Sequence, residues 1–77
     1  MNTKKFGAII KRERMSRNMS QEVTSSFADI GRTHLSAIER GDRVPTLTTF
    51  IKLSFAMDMR PSELLGIIED ELGKEIH

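Results

Sequence analysis

Apolar residues recur along the chain at intervals of three and four, in short bursts separated by polar residues, Asn, Gly and Pro. Phe6, Ile9 and Ile10 form the first burst, the spacing of a helix that buries one face. Thr3 stands at its start as an N-cap, and Asn18 stands where a left-handed residue would close it. Ser20 opens a second helix, with acidic Glu22 in the first turn where the helix dipole favours it. That helix runs through Phe27 and Ala28 and breaks at Asp29, Ile30 and Gly31. A third begins near Arg32, carries Leu35 and Ile38, and ends at Gly41. After a loop over residues 42–45, Thr46 caps a fourth helix carrying Leu47, Phe50, Ile51, Leu53 and Met57. Pro61 fits the first turn of a fifth, through Leu64, Leu65 and Ile68. No apolar–polar alternation lasts over four residues, so the pattern predicts an all-α chain of five short helices. Met15, Met19, Met57 and Met59 read as fillers of the core.

The junction between the second and third helices is the most informative stretch. Two short helices joined by a turn of about four residues form a unit whose second helix can enter a DNA major groove. That geometry needs apolar residues inside and polar residues outside near the start of the second helix. Ile30, Leu35 and Ile38 can face in, which leaves Arg32, Thr33, Ser36 and Ala37 outside with His34 flanking them. Spacing of this kind also occurs in helical bundles with no such role.

Composition narrows the classes. A chain of 77 residues makes one domain and buries only about 60% of its unfolded surface, so burial against a partner would help it. There is no cysteine, hence no disulfide framework and no thiolate metal site. The polar, basic start is unlike a signal peptide, and no apolar run approaches the ~20 residues that span a bilayer. The expectation is a soluble, cytoplasmic protein with no membrane contact. Residues 1–45 hold nine basic and five acidic side chains, and residues 46–77 hold three and six. A basic first part and an acidic second part suit one side facing a polyanion and one facing away. Catalysis would need a nucleophile–base pair, paired carboxylates in a cleft or a metal, and none is visible. His34 and His77 are the only histidines, no carboxylate spacing supports a metal site, and no cofactor or small-molecule ligand is expected. Glu69, Asp70 and Glu71 read as a solvated helix face.

At Met19-Ser20-Gln21-Glu22, Leu35-Ser36-Ala37-Ile38-Glu39-Arg40-Gly41 and Arg43-Val44-Pro45-Thr46-Leu47 the sequence resembles the XRE or lambda-repressor/Cro family of bacterial and phage regulators. The likeness runs ungapped from Phe6 to Leu65. Residues 31–40, Gly-Arg-Thr-His-Leu-Ser-Ala-Ile-Glu-Arg, resemble in particular the controller proteins of restriction–modification systems; small phage repressors and some antitoxins are close cousins. The resemblance implies a compact five-helix domain over residues 1–77 with its helix-turn-helix at about 21–40. It implies base reading by Arg32, Thr33 and Ser36, with Ala37 at a contact position, and phosphate contacts from Gln21, Arg43 and the Thr46 helix start. It also implies an ion pair of Arg14 with Glu39 that ties the first helix to the third. Arg17 and His34 are further phosphate candidates. The sequence departs from the family pattern at Glu13, Thr24, Ser25 and Asp29. Asp tolerates a left-handed turn, whereas Glu13 and Thr24 need polar partners or exposure.

Chemistry supports these roles. The planar fork of Arg32 suits guanine O6 and N7, a pairing that discriminates by roughly 1–3 kcal/mol. Thr33 and Ser36 can donate or accept at a base edge, Ala37 offers a methyl surface, and protonation of His34 would make binding pH-dependent. Gln21 at a helix N-terminus can bond phosphate beside the free amides. Leu64, Leu65, Ile67 and Ile68 exceed a single inward stripe, and Leu72 and Ile76 prolong the apolar line. A homodimer packed through Phe55, Leu65, Ile68 and Leu72, with residues 61–77 as its dimerisation segment, would set two recognition helices ~34 Å apart on a pseudo-palindrome. The expected partners are double-stranded DNA, a second copy, and RNA polymerase or a cognate toxin. The competing reading is an antitoxin-like protein-binding module on the same fold.

Overall fold

The computed structural model describes residues 1–76, with side chains through Glu75; His77 and the Ile76 side chain lie outside the described residues. Five helices follow one another: α1 (Thr3–Ser16), α2 (Gln21–Phe27), α3 (Arg32–Arg40), α4 (Leu47–Ala56) and α5 (Pro61–Ile76). Among the described residues there is no strand.

Local chemistry sets the ends of these helices. Ser20 and Thr46 are extended, and their hydroxyls accept from the amides of Val23 and Thr49 at 3.0 and 3.2 Å, satisfying donors the helix leaves open. At α1 the cap is Asn2 rather than Thr3: Asn2 Oδ1 accepts from the Lys5 amide at 3.0 Å, and Thr3 is the first helical residue. The first four helices all stop in one way. A left-handed residue, Asn18, Asp29, Gly41 or Asp58, follows each (φ 55°, 54°, 84° and 57°). The next residue's amide then returns to a carbonyl five residues back, as in Met19 to Arg14, Ile30 to Ser25, Asp42 to Ala37 and Met59 to Ser54, at 2.9–3.3 Å. This is the Schellman closure. Met19, Ile30 and Met59 use it to turn an apolar side chain onto the core.

The core gathers Phe6, Ile9 and Ile10 of α1, Leu35 and Ile38 of α3, Phe50 and Leu53 of α4, and Leu64, Ile68 and Leu72 of α5, with Met57 and Met59. The backbones of α1 and α3 cross closely, because a Cβ on Gly7 would collide with the carbonyls of Ile38 and Glu39. A Cβ on Gly41 would lie 2.7 Å from Lys4 Cα, so this position needs glycine both for its φ and for space.

Two further sequence expectations are corrected here. Met15 is 56% exposed, because it follows the inward Arg14 by one residue and so falls on the outer face of α1. Ile68 and Leu72, expected between two copies, are buried inside the single chain, because α5 turns the four-residue stripe Leu64–Ile68–Leu72 inward. Polar contacts hold its later turns against α1. Arg12 forks onto Glu71 at 2.9 and 2.6 Å, and Lys5 Nζ reaches Glu75 at 2.8 Å. The hydrogen bond from Arg12, then its charge, holds the Glu71 carboxyl below its usual range, and the bond to Glu75 raises Lys5.

Candidate nucleic-acid interface

Residues 28–31 form the turn between α2 and α3. Its tightness comes from left-handed Asp29 and from the Ile30 amide closing on the Ser25 carbonyl at 3.0 Å. Leu35 and Ile38 anchor α3 from inside. One helical face therefore turns outward, with Thr33, Ser36, Ala37 and Arg40 along it and Arg32 at its start. Two shallow clefts flank that face. Gln21, Arg32, Thr33, Ser36 and Arg40 line one, and Thr33, His34, Ala37 and Arg43 line the other.

A buried polar brace fixes the helix behind this face. Arg14 Nε and Nη2 donate to the two oxygens of Glu39 at 2.7 and 3.0 Å, and Arg14 Nη1 donates to the Met19 carbonyl at 2.7 Å. Gln21 Nε2 donates to Glu39 Oε1 at 3.0 Å. Arg14 and Glu39 are only 8% and 7% exposed, so each charge depends on the other; removing one of such a pair costs about 3–5 kcal/mol. The brace joins the end of α1, the start of α2 and the last turn of α3. It uses one amide hydrogen of Gln21 and leaves the second for a ligand.

The remaining site residues are placed as follows. Arg43 is exposed in the loop after α3 and lines the second cleft beside half-buried His34. Thr46 uses its hydroxyl oxygen to cap α4, whose first amides open to solvent beside it. Arg17 is not brought into either cleft: its guanidinium folds back onto the Glu13 carbonyl and carboxylate at 2.8 and 3.1 Å. Phe55 and Leu65 are 64% and 57% exposed on the packed helices α4 and α5.

Arg40 is the residue the sequence reading missed. Its Nη1 donates to Ser36 Oγ at 2.6 Å and its Nε to Asp42 Oδ2 at 3.0 Å. The signal was present, since Arg40 stands four residues after Ser36 and seven after Thr33, on one helical stripe.

The charge argument also sharpens. Most basic residues of the first part sit on α1 or at its end, where Lys5, Arg12, Arg14 and Arg17 each meet a carboxylate. Around α3, Arg32 and Arg43 have no carboxylate within 4 Å among the described residues. Among those residues there is also no cluster able to hold a metal ion, and no helix long and apolar enough to cross a membrane.

Comparison with known proteins gives a consistent picture. A family model described as Helix-turn-helix matches residues 10–64. Control protein C.BamHI of Bacillus amyloliquefaciens is 41% identical over 61 residues, covering 78% of this chain and 75% of that protein. Control protein C.MunI of a Mycoplasma species is 35% identical over 68 residues, 87% of this chain and 92% of the relative. The crystal structure of the restriction–modification controller protein C.AhdI from Aeromonas hydrophila superposes with a TM-score of 0.77 at 32% identity, over 80% of this chain and 94% of that one. A variant of the controller protein C.Esp1396I superposes at 0.85 over 96% and 94% of the two chains; at 23% identity it speaks for the fold.

Proposed function

The chain belongs to the XRE-type helix-turn-helix family, and from that premise we propose that it is a DNA-binding transcription regulator of the restriction–modification controller kind, acting as a homodimer on a pseudo-palindromic operator. One observation carries this reading. The outward face of α3 is itself formed without an acidic residue, the one neighbouring carboxylate, Asp42, being paired with Arg40, while a buried Arg14–Glu39–Gln21 brace fixes the helix from behind.

In this reading Arg32, Thr33 and Ser36 meet base edges and Ala37 allows close approach. Gln21, His34, Arg43 and the α4 start at Thr46 hold phosphates, which sets register without reading sequence. Arg17 joins them only by leaving Glu13. Phe55 and Leu65 face the second copy, while Ile68 and Leu72 support that surface from within. Such a protein works where the DNA is, in the cytoplasm, and no cofactor or catalytic step enters. Occupying a promoter represses it; binding just upstream brings a surface to RNA polymerase. Among the described residues no feature favours toxin binding over DNA.

Selection of preferred sites from random duplex DNA tests the reading. The expected product is one site with two inverted half-sites about one helical turn apart. Recovery of unrelated sequences with no common half-site would overturn it.

A further inference from the structure

Ser36 lines the first cleft with Gln21, Arg32, Thr33 and Arg40, and its hydroxyl is already engaged. Arg40 Nη1 donates to Ser36 Oγ at 2.6 Å, while Arg40 Nε donates to Asp42 Oδ2 at 3.0 Å. The backbone sets up this chain of contacts. Left-handed Gly41 lets the Asp42 amide close on the Ala37 carbonyl at 2.9 Å, which brings the carboxylate back beside the last turn of α3. The tethered guanidinium then lies along the outer face, over the hydroxyl one turn earlier.

A serine hydroxyl has one proton to give and two lone pairs to receive. Alone on a recognition helix it serves a base donor or a base acceptor equally. Here one lone pair is filled by a cation. That polarises the O–H bond outward and sets positive charge beside the oxygen. Guanine O6, purine N7 and thymine O4 then meet a strengthened donor, whereas the N4 amino group of cytosine meets positive charge.

We propose that Asp42 and Arg40 are positioning residues that make Ser36 a dedicated hydrogen-bond donor, so that the base it meets is chosen for an acceptor edge and cytosine is rejected. The proposal rests on the DNA-reading role of α3 given above.

The test measures binding of the purified protein to its selected duplex and to every single-base-pair replacement of it, by fluorescence anisotropy. In the wild type, one position in each half-site should show a loss of about tenfold when cytosine is introduced. Ser36→Ala should shrink that loss to about twofold or less. Asp42→Ala should shrink the same loss at the same position. Its affinity for the best site should hold or rise, because a carboxylate near phosphates is gone. Arg40→Lys keeps the charge but replaces the planar fork, whose Nε and Nη1 hold Asp42 and Ser36 separately, with a single flexible Nζ, and should behave as Asp42→Ala does at that position. The proposal is overturned if Asp42→Ala retains the cytosine penalty, or if it loosens several positions alike, the mark of a generally disordered helix. A Ser36→Ala protein with every preference intact overturns it as well. A wild type that binds all duplexes equally sinks the DNA-reading role itself, a result distinct from a discriminating wild type with an unaffected Asp42→Ala.

Discussion

Thr24 is fully buried on α2, and its hydroxyl oxygen has no hydrogen-bond partner among the described residues. Of the polar departures from the family pattern, Glu13 obtains partners in Arg12 and Arg17, and Ser25 Oγ bonds the Glu22 carbonyl at 3.1 Å. Thr24 obtains none, so an isosteric apolar side chain should fit better. Thr24→Val is expected to raise unfolding stability by about 1 kcal/mol, read as a higher urea midpoint; a lower midpoint would mean the hydroxyl is satisfied. Arg14→Ala should cost about 3–5 kcal/mol, whereas Arg14→Met with Glu39→Leu should recover much of that loss in the same assay. Recognition of the Arg14–Glu39 pair came through family likeness, since no local rule pairs residues 25 apart. Arg40 escaped because a cation in the last turn of a helix is explained well enough by the helix dipole.

Helix ends were the legible part of the fold, because caps and left-handed closures depend on a few neighbouring residues. Asn18, Ser20, Gly41 and Thr46 all take the backbone roles their side chains suggest. Asp29 carries the cost of a left-handed non-glycine residue, so Asp29→Gly should raise the thermal midpoint by the equivalent of about 0.5 kcal/mol. A fall in the midpoint would show that the Asp side chain stabilises the turn. Faces were less legible than ends. Leu64, Leu65, Ile67 and Ile68 look like a surplus for one stripe, and only the path of α5 along α1 decides which of them turn inward. The Arg12–Glu71 contact adds a pH dependence of definite sign. Because the folded carboxyl is held below its usual range, its contribution is complete above the unfolded value and fades as pH falls through the lowered one. The stability difference between wild type and Glu71→Gln should therefore be larger near about pH 7 than near about pH 3. A pH-independent difference in thermal midpoint would contradict this.

At the scale of the whole molecule, the uneven charge first suggests a positive side for DNA. Part of that positive charge is instead spent within the fold: Lys5 and Arg12 of α1 hold Glu75 and Glu71 of α5, and Arg14 holds Glu39 of α3. In the proposed reading the DNA-facing surface rests on fewer residues, chiefly Arg32 and Arg43, and on helix N-termini. Exposed Phe55 and Leu65 on α4 and α5 are what remains for a second copy once Ile68 and Leu72 belong to the core. Leu65→Glu should then sediment as a monomer, lose affinity for the full operator, and keep the wild-type affinity for a single half-site. A dimer that persists in Leu65→Glu would place the interface elsewhere.

The central claim is that the outer face of α3 reads base edges. It is tested most directly by comparing wild type and Arg32→Ala across every single-base-pair variant of the selected operator. Loss confined to one base pair in each half-site, worth about 1–3 kcal/mol and accompanied by relaxed preference there, is the predicted result. A uniform loss across all variants with a shallower salt dependence would make Arg32 a phosphate contact and contradict the claim.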